Sequence, residues 1–67
     1  MPTDPKPAVD LLTIPEAAEL LKISVSGMRR LQQRRRIPFI KIGGSIRFAR
    51  QDLASFVHRN RMEAIGT

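Results

Sequence analysis

In QQRRRIPFIKIGGSIRF, residues 32–48, three consecutive arginines run into a stretch where apolar and basic residues alternate around a double glycine. Pro38 disfavours helical backbone at Ile37 and sets an extended path. FIKI and SIRF then each alternate with the period of a strand. Gly43-Gly44 between them supplies the positive φ of a two-residue turn. The stretch therefore predicts a β-hairpin. Ile40, Ile42, Ile46 and Phe48 are expected on its inner face, with Lys41 and Arg47 on its outer, basic face.

Upstream, the pattern is helical. Thr13 and Glu16 have the spacing of a capping box, and Pro15 falls in the first turn, where its missing N–H costs nothing. Ile14, Ala17, Ala18 and Leu21 recur on one face, which predicts a helix over 14–21. A tight turn, KIS, follows, and Ser24 is a good N-cap for a second helix through VSGMRRLQQRR, residues 25–35. Met28 and Leu31 turn inward, while Val25, Ser26, Arg29, Arg30 and Gln33 point out. Gly27 weakens this helix by about 1 kcal/mol relative to alanine and is expected to allow close approach to the first helix. Downstream of the hairpin, a helix over about 50–60 is expected to pack through Leu53, Phe56 and Val57. Residues 1–10, with three of the five prolines, read as a flexible arm, 11–60 as one domain, and 61–67 as a tail.

At 67 residues the chain holds one small domain with a thin stability margin. It has no cysteine and one histidine, so neither a disulfide nor a metal staple is available within one molecule, and the lack of cysteine fits a reducing compartment. No apolar run approaches the roughly 18 residues of a membrane span, and MPTDPKPAVD has no signal-peptide core. These features predict a soluble cytoplasmic protein with no membrane partner. Charge is segregated within the net +6: nine basic residues lie between Lys22 and Arg50, and no acid lies between Glu19 and Asp52. Such a block is the electrostatic footprint of a protein that meets a polyanion, whereas a merely solvated face would mix both signs.

No catalytic constellation or cofactor motif is evident. His58 stands alone, the serines lack a base, and the carboxylates are unpaired, so neither an enzyme nor a cofactor is expected. Phe39, Phe48 and Phe56 could stack bases as RNA-binding modules do, but two of them fit the inner face better and the chain has no tyrosine or tryptophan, so core packing is the expected role. Arginine forks match guanine edges and phosphates, which makes Arg29 and Arg30 the candidate base readers. Of Arg34, Arg35 and Arg36, one suits the helix C-terminus by its charge, and the others suit DNA phosphates. Arg47 is the candidate for backbone binding on the hairpin, with Lys41 beside it.

The order helix, tight turn, helix, hairpin, helix predicts an α+β, mainly helical fold: a winged helix-turn-helix. LLTIPEAAELLKIS (11–24), RIPFIKIGGSIRF (36–48) and RQDLASFV (50–57) resemble the excisionase family of small DNA-binding domains, related to the winged helix-turn-helix of the mercury-resistance regulators. The resemblance runs from about Leu12 to Val57. It implies that the second helix, from Ser24 through Val25, Ser26, Arg29, Arg30 and Gln33 to Arg34, enters the major groove of double-stranded DNA. It implies too that the wing, with Arg36, Lys41, Gly43, Gly44, Ser45 and Arg47, meets the backbone or the minor groove. Family members commonly carry threonine at Gly27, an aromatic at Arg29, and glycine near Arg35. The implied role is an accessory factor that binds and bends attachment-site DNA and favours integrase-driven excision of a mobile element, with that recombinase as partner. A module this small buries little DNA surface, so tight occupancy calls for adjacent copies or a partner. The alternatives are a small phage or plasmid transcription regulator and, in another class, an RNA-binding or nonspecific polyanion-binding protein.

Overall fold

The structure, a computed structural model, describes residues 10–64. The element order is β1 (Leu11–Leu12), α1 (Ile14–Leu21), α2 (Val25–Gln33), β2 (Ile40–Ile42), β3 (Ser45–Ala49) and α3 (Arg50–Arg59). The expected arm lies outside the described residues except for Asp10, as do residues 65–67 of the expected tail.

α1 starts and ends where its sequence requires. Glu16 N–H donates to Thr13 Oγ1 at 3.3 Å, and Thr13 N–H donates to Glu16 Oε1 at 2.9 Å, which closes the capping box. At the other end Lys22 adopts left-handed backbone, φ 59°, and Ile23 N–H donates to the Ala18 carbonyl at 3.0 Å. This is a Schellman end built without glycine.

α2 repeats the design. Ser24 Oγ accepts the Gly27 N–H at 2.9 Å. Gly27 was expected to face α1, but a Cβ there would first meet Ser24 Oγ at 3.1 Å, so the glycine relieves crowding against its own cap. The helix ends at Gln33, two residues before the expected Arg35. Arg35 is left-handed, φ 54°, and Arg36 N–H donates back to the Leu31 carbonyl at 2.9 Å. Left-handed backbone is the conformation that ordinarily favours glycine at a helix end. Arg35→Gly is accordingly expected to stabilise the fold by about 1 kcal/mol, read as a rise in the thermal midpoint, because only the arginine bears the left-handed penalty.

The sheet has three antiparallel strands in the order β1-β3-β2. β1 had no signal of its own; Leu11 pairs with Ala49 and Leu12 with Phe48. Arg50 N–H donates to the Asp10 carbonyl at 2.9 Å, and its Nε to Asp10 Oδ2 at 2.6 Å, so Asp10 secures the start of α3, which has no side-chain cap of its own. Of the two hairpin glycines, Gly43 alone carries the positive φ, 62°.

The core gathers Leu12, Ala17, Ala18, Met28, Ile37, Phe48 and Leu53, all buried, with Ile14, Leu21, Leu31, Phe39, Ile46 and Phe56 packed around it. Val57, expected inside, is 53% exposed, while Phe56 beside it packs against the core. With α1 and α2 joined by a three-residue turn and the β2–β3 hairpin as wing, the architecture is an α+β winged helix-turn-helix. Among the described residues no helix is long and apolar enough to cross a membrane.

Candidate nucleic-acid interface

The outward face of α2 follows from its buried one. Met28 is fully buried and Leu31 half-buried. At about 100° per residue, the opposite line runs through Ser26 and Gln33, with Arg29 on one flank and Arg30 on the other. Val25, Ser26, Arg29, Arg30, Gln33 and Arg34 are all exposed, so α2 presents every side chain the sequence assigned to it. Ser24 is exposed too, but its hydroxyl is engaged in capping.

The register of the wing corrects the expected faces. Ile40 pairs with Arg47, Lys41 with Ile46, and Ile42 with Ser45. Residues directly opposite each other share a face. Lys41 therefore shares the core-side face with Ile46 and Phe48, projecting past the core's edge into solvent. Ile40 and Ile42 lie on the outer face with Arg47 and Ser45, and all of β2 is exposed. Arg47 does point outward as expected; it is half-buried, and its Nη1 donates to the Ile46 carbonyl at 2.8 Å.

Arg30, Arg34 and Arg36 line one concavity with Gly27 and Leu31. Arg35, Arg36 and Lys41 line a second with Ile37, Pro38 and Phe39. Arg36 belongs to both. The left-handed turn at Arg35 thus makes a continuous cationic surface from the flank of α2 to the wing. Lys22 pairs with Glu19 and Arg50 with Asp10, at the two ends of the basic block. Among the described residues Arg29, Arg30, Arg34, Arg35, Arg36, Lys41 and Arg47 make no ion pair. Within the block, positive charge is therefore uncompensated in the interior and paired at the two ends, and a polyanion would supply the missing counter-charge.

The sequence reading missed the grouping around Arg36 and the two outward isoleucines. The second was open to a count: a two-residue loop fixes which positions face each other. Arg36's place depends on the backbone at Arg35, which no glycine advertised. Elsewhere, His58 is exposed on α3, and among the described residues no three His, Cys, Asp or Glu side chains group to hold a metal.

No curated protein and no solved structure matches the chain. A family model described as a helix-turn-helix domain matches residues 11–61, from the first strand to just past α3. With the fold and the cationic surface above, this places the protein in the helix-turn-helix domain family, a family of DNA-binding domains that includes excisionase-like proteins.

Proposed function

We propose that the protein is a sequence-specific, double-stranded-DNA-binding accessory factor of the excisionase kind, acting through one domain over residues 11–60. The observation that carries the DNA contact is the unpaired cationic surface running from α2 through Arg36 to Lys41. Support for the excisionase role comes from the three matching segments, 11–24, 36–48 and 50–57. In this reading α2 lies in the major groove. Arg29 and Gln33 read base edges there: an arginine fork matches guanine O6 and N7, and a glutamine amide matches adenine. Arg30, Arg34 and Arg36 grip one backbone strand, while Lys41 and Arg47 meet phosphates on either side of the wing. The partners are attachment-site DNA, its integrase, and further copies on adjacent sites.

Gel-shift and filter-binding titrations with an attachment-site duplex, a scrambled duplex and duplex RNA test this. The attachment-site duplex should bind best, with log K falling against log salt at a slope near −5, since about six phosphates are neutralised. Arg29→Ala should cost about 1–3 kcal/mol on the specific duplex and much less on the scrambled one. Equal binding to all three nucleic acids would reject sequence-specific DNA recognition. Specific binding that leaves integrase-driven excision unchanged in a reconstituted reaction would reject the excisionase role and assign the domain to transcription.

A further inference from the structure

Ser24 opens α2 but is not free to read a base, because its hydroxyl accepts the Gly27 N–H at 2.9 Å. The first side chain of the helix that is free is Val25. It is 39% exposed and belongs neither to the buried core nor to the apolar residues packed around it. It is also the one apolar side chain that α2 exposes, since Met28 is buried and Leu31 half-buried. A single exposed valine needs no explanation by itself. Its place on the helix supplies one.

Val25, Arg29 and Gln33 stand four residues apart on one unbroken helix. They follow one another at intervals of about 6 Å, each turned about 40° further round the outward face. Arg29 and Gln33 are exposed, and among the described residues their side chains make no hydrogen bond or ion pair. Arg30, Arg34 and Arg36 line the concavity on the other flank. Val25 therefore stands away from the arginines that grip phosphate, in the first turn of the helix, which in helix-turn-helix proteins is the part that approaches base edges. A valine offers phosphate no donor. The C5-methyl of thymine is the one apolar group that base edges display in the major groove.

We propose that Val25 is a specificity-determining residue that packs on a thymine C5-methyl, and that the row Val25, Arg29, Gln33 reads thymine, guanine and adenine in that order. The gain comes from taking two apolar groups out of water at once. With base pairs about 3.4 Å apart, neighbouring members of the row fall within two steps of each other, and the three span about four base pairs. The inference rests on the major-groove reading of α2 above and adds to it a third base and an order.

The test starts from a duplex that the whole chain selects from a random library. The selected motif should hold thymine, guanine and adenine in that order within about four or five base pairs. Each of its thymines is then replaced in turn by deoxyuridine, which lacks only the methyl. One replacement, on the side of the guanine away from the adenine, should weaken binding about fourfold, the worth of one buried methyl group. Val25→Ser should bind the thymine and deoxyuridine duplexes alike. It should keep the salt slope, since no charge is lost, and melt close to the wild type. Arg29→Ala should lose the preference for guanine and keep the response to deoxyuridine. A library that yields no preferred sequence rejects the specific recognition on which the inference rests. A preferred duplex that no deoxyuridine weakens, or a Val25→Ser variant that still tells thymine from deoxyuridine, overturns the role of Val25 and leaves specific recognition standing. A sensitive thymine on the adenine's side of the guanine overturns the order.

Discussion

Phe48→Ala is expected to lower stability by about 3–5 kcal/mol, the range for emptying a buried aromatic position. Phe48 is fully buried in β3, the central strand of the sheet, where it pairs with Leu12 of β1. Its ring faces the core shared by Ala17, Ala18, Met28 and Leu53. Two of these are alanines, which cannot move in to fill the space. A domain of this size has a total margin of only about 3–10 kcal/mol, so the loss is comparable with the whole. Thermal and urea melts should show a protein largely unfolded or close to it. Its neighbour in the wing, Ile42, supplies the contrast: at 56% exposure, Ile42→Ser should barely move the midpoint. A loss below about 1 kcal/mol in Phe48→Ala would mean that the core is centred elsewhere.

The second large effect concerns binding. Replacing Arg30, Arg34 and Arg36 together by alanine removes every cation from the concavity beside Gly27 and Leu31. If each guanidinium makes one charge-assisted bond to phosphate worth about 1.5 kcal/mol, binding to any duplex should fall about a thousandfold. The salt slope should become shallower by about three units. The loss should be alike for specific and scrambled DNA, because phosphates carry no sequence. The fold should survive, since all three side chains are exposed and make no ion pair. An unchanged salt slope in a well-folded triple variant would remove this concavity from the DNA interface. A loss confined to the specific duplex would instead make these arginines base readers.

The bounds of α1 and the start of α2 were legible from single residues. Thr13, Glu16, Pro15 and Ser24 act through bonds that close within four positions, so their effect needs no knowledge of the rest of the chain. The end of α2 was less legible. Arg35 takes a conformation that usually announces itself by glycine, and the side chain gave no such sign. The expected burial of Val57 failed for a related reason. Helical spacing says which residues share a face, not how much of that face the neighbouring elements cover.

By itself the sequence determined the three helices, the glycine turn of the wing, and the concentration of positive charge between residues 22 and 50. Each depends on short-range geometry or on composition. Tertiary structure alone decided that Leu11–Leu12 completes the sheet against β3, that Asp10 secures α3 from 40 residues away, and that Ile37 belongs to the core. It also decided the surface chemistry of the wing. Pairing across a two-residue loop joins positions of opposite parity, so Lys41 falls beside Ile46 while Ile40 and Ile42 turn outward with Arg47. Alternation within one strand sorts its side chains into two sets. Only the register with the next strand, and the core beneath it, decides which set faces water.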